Sequence, residues 1–385
     1  MNRHAAILGL ILMTLSISAC FGPRLVPLDL GYPTAPVEIP RDLAAHEWAQ
    51  TEWWYYTGHL RSQDGQSYGF ELAFFRRRTD RDRFKGLPLK LFGRAAHMAH
   101  FSVVDEDAGE YLHKGISALR WRRARFSTEE YDLTVGDWKA GGDEKAHHIA
   151  ASTKAMAIDL VLEPSKPILK YGDGGILPKG DGLANYYVSY TRMNIAGRLV
   201  LENRELNVSG IGWFDHEYGN LGSTLETGWD WFSVQLDNHT EYMIYAIRRP
   251  EGGIEPRSRA YRIDEDSGAE SIPLSEVEIE VLGKWRSPHT EAVYPSGWRI
   301  VVPRWNLDIV IAPRAADQEF RFMGIAYWEG SCVVLGTPGR GRAYVELVGY
   351  DESKILGMTR KESVSFFARA ATPGSAPATS RRPRR

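Results

Sequence analysis

The chain has 385 residues, 43% of them apolar and 11% aromatic, with 47 basic against 49 acidic side chains. That length suits about two domains and that apolar content is ample for packed cores. The near-neutral balance offers no overall field for nucleic acid, so small molecules or proteins are the expected partners.

The first nineteen residues carry Arg3 and His4, the apolar run AAILGLILMTLS and then ISA before Cys20. This is the layout of a secretory signal cut ahead of a cysteine, and its apolar stretch is too short for a stable membrane span. Cys20 is expected to become a lipid-modified N-terminus and to hold the protein to a membrane. Cys332 is then the remaining thiol, so no disulfide forms within the mature chain; in SCVVL it reads as a small buried hydrophobe. Residues 20–47, with five prolines and little periodicity, read as the lipidated cysteine and an extended tether.

From residue 48 the dominant signal is period two, in short aromatic and branched runs separated by turn dipeptides. In WWYYTGHL the side chains of Trp54, Tyr56, Gly58 and Leu60 share one face; after Asp64-Gly65, Phe70, Leu72 and Phe74 do the same. Many such runs predict an all-β sandwich or barrel architecture. TEWWYYTGHLRSQDGQSYGFELAFFRR at 51–77 lines up with TGWDWFSVQLDNHTEYMIYAIRR at 227–249, each reading as the opening hairpin of a domain. The predicted domains are 48–222 and 223–366, and 367–385 reads as a disordered basic tail.

TEWWYYTGHL, FELAFFRRR, AAHMAHFSV, ANYYVSYTRM, VSGIGWFDHEYGN, GWDWFSVQLDN, YPSGWRI, DQEF, YWEGSCVVLG and GRAYVELVGY occur in that order between residues 51 and 350. Together they resemble the family that contains the carotenoid 1,2-hydratases and the AttH-type secreted lipocalin-like proteins. The resemblance implies two tandem lipocalin-like (calycin) β-barrels packed together, with a ligand cavity at or near their meeting surface. Relatives include hydratases of acyclic carotenoids and of plant compounds, fungal cyclases, and members known by a hydrolase label alone. The lipoprotein signal departs from the carotenoid hydratases, which work at internal membranes. AttH-type members tend to travel with an ABC exporter, which makes an ABC transporter a candidate partner. Phe21 after the cysteine resembles lipoproteins passed to the outer membrane, so a periplasm-facing, lipid-anchored place in the cell envelope is expected.

The densest ionisable cluster is Asp215, His216 and Glu217 in GIGWFDHEYGN. Hydration of a carbon–carbon double bond needs a proton delivered to carbon, and an aspartic acid in an aromatic pocket can stay protonated near neutrality. The resemblance points to an Asp in this region, so Asp215 is the expected acid, with Glu217 on the same strand face and His216 on the other. A structural alternative has the cluster sealed by arginines such as Arg76, Arg192 or Arg248. Trp54, Tyr56 and Phe74 from the first hairpin and Trp229, Trp231 and Tyr245 from the second are expected to contact ligand. Tyr187, Trp213, Trp328 and His97 join them, and Arg192 is a candidate clamp for a ligand carboxylate. His97 and His100 stand three apart in a strand, which sends them to opposite faces and argues against a metal pair. HExxH, CxxC, phosphate-loop and GxSxG patterns are absent from the sequence, and no cofactor is expected. Three functions remain open: a hydro-lyase or related acid-base enzyme acting on an apolar or amphipathic ligand, a non-catalytic lipid carrier or exporter accessory, and a structural scaffold whose cavity is filled by its own tryptophans.

Overall fold

The computed structural model describes residues 34–351 except 80–82, 85–86, 89–94, 119–122, 181–182, 220–227 and 250–251. Cys20, the signal, the basic tail and the expected domain boundary at 222 lie outside the described residues. Regular structure within them is strand, broken by three short 3-10 turns.

Two large antiparallel sheets divide the chain. The first, of 13 strands, runs from Glu110–Ala118 through Ala95–Asp105, Ser67–Arg78, Thr51–Ser62, Arg204–Gly219, Leu183–Leu201 and Met156–Pro164 to the short strands between residues 124 and 152. The second, of 10 strands, places Trp229–Leu236 between Glu241–Ile247 and Gly341–Val348. The first sheet curls into a nearly closed barrel and the second into a half-barrel, the packed lipocalin-like pair that the resemblance implied.

The aligned segments are hairpins in the structure. Thr51–Ser62 pairs with Ser67–Arg78 and Trp229–Leu236 with Glu241–Ile247. Alternation explains how each serves two cores. Trp54, Tyr56, Phe70, Leu72 and Phe74 fill the first barrel. Phe232, Val234, Tyr242 and Ile244 fill the second, where Cys332 is buried with Trp298 and Trp328. The residues between them form a third cluster where the barrels meet, including Tyr55, Ala73, Tyr187, Trp213, Trp231 and Tyr245.

Residues 34–47 differ from the expected tether. Val37, Leu43, Ala44 and Ala45 are buried, the Val37 amide donates to the Gly174 carbonyl at 2.8 Å, and the Trp54 indole donates to the Leu43 carbonyl at 2.9 Å. The prolines shape the path, but these apolar residues between them attach the segment to the first barrel.

Candidate active site

A cavity of about 160 Å³ opens where the two hairpins face each other. Its aromatic walls come from equivalent positions of the aligned segments: Trp53 and Tyr55 from one, Trp229 and Trp231 from the other. Phe75 and Ile247 complete that correspondence, while Tyr187, Tyr245 and Tyr327 add rings from neighbouring strands. The polar lining is Thr51, Lys179 and three carboxyl groups, Asp215, Glu217 and Glu346.

Asp215 and Glu217 emerge on the same side of the strand Arg204–Gly219, two residues apart, as alternation requires. Asp215 Oδ2 accepts from the Tyr187 hydroxyl at 2.7 Å, and Oδ1 accepts from the Trp213 indole at 2.6 Å and from the Ser189 hydroxyl. Burial pushes its carboxyl up to about 7, against the downward pull of those three donors. Among the described residues no lysine or arginine pairs with it. Arg192 instead bonds Glu241 at 2.6 Å, Arg248 bonds Asp230, and Arg76 donates to the carbonyls of His46 and Ala49 at 3.0 and 3.3 Å. Glu217 is held differently, by Lys179 Nζ at 2.7 Å and Asn185 Nδ2 at 2.9 Å.

Glu346 escaped the sequence reading. It pairs across strands with Trp231 as Asp215 pairs with Tyr55, and Trp231 and Tyr55 are equivalent in the aligned hairpins. Each acid also accepts from a tryptophan indole, Glu346 Oε2 from Trp229 at 2.7 Å. Burial pushes Glu346 up to about 7 as well, reinforced by Asp215 and Glu217. Extending the repeat register from the hairpins to YVELVGY would have pointed to it. Directly opposite Glu346 lies Glu329, which accepts from the Tyr55 hydroxyl and is raised well above the carboxylate range by burial and by Glu346 and Glu71.

The cavity gathers Asp215, Glu217, Tyr187, Trp229, Trp231 and Tyr245 from the expected set, and Trp213 stands behind Asp215. It does not gather Trp54, Tyr56, Phe74 or Trp328, which point into barrel interiors; their neighbours Trp53, Tyr55, Phe75 and Tyr327 face it. Both faces of these strands are apolar because both are buried, so composition does not reveal which one meets ligand. His97 packs on Phe126, ring centroids 4.6 Å apart, and His100 bonds the Tyr327 hydroxyl at 2.7 Å, on opposite faces as expected. Arg192 is paired with Glu241 and does not line the cavity.

His216 faces away from the cavity. Its Nε2 and the Nδ1 of His46 both meet Oε1 of Glu52, at 2.9 and 2.8 Å. The three side chains bring their donor atoms within 4.8 Å of one another. Contacts near 2.8 Å are the spacing of shared protons, whereas donors around a zinc ion stand roughly 3.3 Å apart. Burial opposes charge on His46, yet Glu52 and Asp42 raise it to about 9, and the imidazoles hold Glu52 down to about 2. The triad therefore clamps residues 34–49 to the back of the strand that carries Asp215.

The sequence profile of the AttH-like family matches residues 31–350. The chain belongs to the AttH-like family. An AttH protein of Nitrosomonas europaea, known from a crystal structure at 2.00 Å, superposes on this AttH-like chain with a TM-score of 0.74 and 27% identity, over 85% of this chain and 100% of that one. Kievitone hydratase of Nectria haematococca shares the fold, with a TM-score of 0.64 and 14% identity over 86% of this AttH-like chain and 98% of the hydratase. No curated protein sequence matches the chain.

Proposed function

We propose that the cavity adds water across a carbon–carbon double bond of an apolar or amphipathic ligand, with Asp215 as the proton donor. The observation that carries this reading is a fully buried carboxyl, unpaired with any described cation, opening into an aromatic cavity. An acid that titrates near 7 is populated in both forms at neutral pH, as general acid catalysis requires. Asp215 gives its proton to one alkene carbon, and the cation on the other carbon is sheltered by the ring faces. Water polarised by Glu217 then adds to that cation, and its surplus proton returns to the Asp215 carboxylate. The kievitone hydratase likeness supports the fold of such a site. His216 contributes by holding the strand through Glu52 rather than by touching ligand.

The test begins with native mass spectrometry of the purified protein to identify a co-purifying apolar molecule. Incubated with its alkene form in oxygen-18 water, the protein should transfer one labelled water, and turnover should fall as pH rises through about 7. Asp215→Asn should bind the same molecule and add no water. Equal hydration by this variant would remove Asp215 from the mechanism.

The envelope attachment through Cys20 is a proposal supported by the signal sequence alone. Metabolic labelling with a fatty acid that disappears in Cys20→Ala would establish it.

A further inference from the structure

The cavity lining has a composition that hydration of a neutral alkene does not use up. Three carboxyl groups face it, against one ammonium, and that ammonium is already bound to Glu217 at 2.7 Å. Asp215 and Glu346 lie at corresponding positions of the two barrels and are paired with no described cation. Between them stand the faces and edges of aromatic side chains. Tyr55 and Trp231 meet edge to face with centroids 5.6 Å apart, and Trp213 meets Trp231 likewise at 5.9 Å. The structure already seats one cation against this wall. Lys179 Nζ lies 5.4 Å from the ring centroid of Tyr187 and 5.3 Å from that of Tyr245.

Aromatic walls bind a poorly hydrated organic cation through their negative ring faces, and buried carboxylates add direct attraction in a medium of low dielectric. A simple anion would meet Asp215, Glu217 and Glu346 and be rejected, while a neutral alkene engages Asp215 and Glu217 and leaves Glu346 unused. We propose that this cavity binds a tertiary or quaternary ammonium group, presented by an amphiphile whose remaining part extends toward the cavity mouth, between Asp215 and Glu346. The ammonium replaces one proton, leaving the other shared by Asp215 and Glu346, and takes the place that a carbocation would hold during hydration. The inference concerns binding and needs no turnover, so a cavity that binds ammonium without hydrating anything would defeat the hydration reading alone.

Choline and its neutral carbon isostere, 3,3-dimethyl-1-butanol, make the comparison, titrated against the full chain by tryptophan fluorescence and calorimetry. Choline should bind about tenfold more tightly, the contrast expected when a desolvated cation–π contact is added to equal shape. Glu346→Gln should lower choline affinity about fivefold and leave the isostere unchanged. Lys179→Met removes the resident cation and should raise choline affinity by about threefold or more, an opposite sign that no loss of folding imitates. Equal affinities for the two probes, isostere binding without choline binding, or weaker choline binding by the Lys179 variant would each overturn the proposal.

Discussion

Asp215 is held between two tendencies of similar size. Burial favours the neutral acid, and three hydrogen-bond donors favour the carboxylate. Because the folded value near 7 exceeds the ordinary value of 3.8, the folded state keeps a proton that the unfolded chain has lost between those pH values. The stability this confers is fully present below 3.8 and is lost as pH rises through about 7. Asp215→Asn should therefore be more stable than the parent at pH 8, by about 2–4 kcal/mol, with the advantage shrinking toward pH 4. Urea unfolding midpoints at the two pH values measure this, and an Asn variant no better at pH 8 than at pH 4 would contradict it. Glu346→Gln should behave in the same direction, since burial raises that acid to a similar value.

At the scale of the strand, neighbouring residues have unlike roles. Trp54 is buried among Phe126 and His216, with ring centroids at 5.5 and 4.5 Å, and donates to the Leu43 carbonyl; Trp53 lines the cavity. Trp54→Ala should cost about 3–5 kcal/mol and free residues 34–49 to proteolysis, whereas Trp53→Ala should change stability little and weaken ligand binding. Thermal denaturation and limited proteolysis separate the two. The segment behind that strand carries its own pH signature. Glu52, depressed to about 2, gives stability that is lost as pH falls through that value, and His46, raised to about 9, gives stability that is lost as pH rises through it. Their contributions coincide between about 4.5 and 6.5, and Glu52→Gln should flatten that maximum in a plot of melting temperature against pH.

Across the whole molecule, ionic groups join the two sheets at both sides of the aromatic cluster. Glu241 of the second sheet receives Lys166 at 2.5 Å and Arg192 at 2.6 Å from the first-sheet side. Glu106, just beyond a first-sheet strand, takes Arg314 at 3.1 Å and Arg342 at 2.8 Å. Glu241→Ala strands two buried cations and should destabilise the protein by about 3–5 kcal/mol, read from chemical denaturation. Packing between the sheets is equally close at Gly115, where an added Cβ would lie 2.2 Å from the Phe322 ring. Gly115→Val should displace that ring and lower stability by about 1–3 kcal/mol, while Gly109→Ala, with open space but positive φ, would act through backbone strain alone.

The all-β class, the paired hairpins and the shared face of Asp215 and Glu217 were legible in the chain, because period-two alternation and turn chemistry act over a few residues. The opposite placement of His216 followed from the same rule. Which aromatic face meets ligand was decided only by tertiary structure, since Trp53 and Trp54 are chemically alike and both faces of their strand are covered. The pairing of Arg192 with Glu241, the packing of residues 34–49 and the arrival of Glu346 beside Trp229 depend on contacts between residues 49 to 117 positions apart, or on which barrel covers a segment. Local pattern thus determined the strands and their two faces. Only the packing of one barrel on the other determined which of those faces became a cavity, by bringing Asp215 and Glu346, 131 residues apart in the sequence, into one lining.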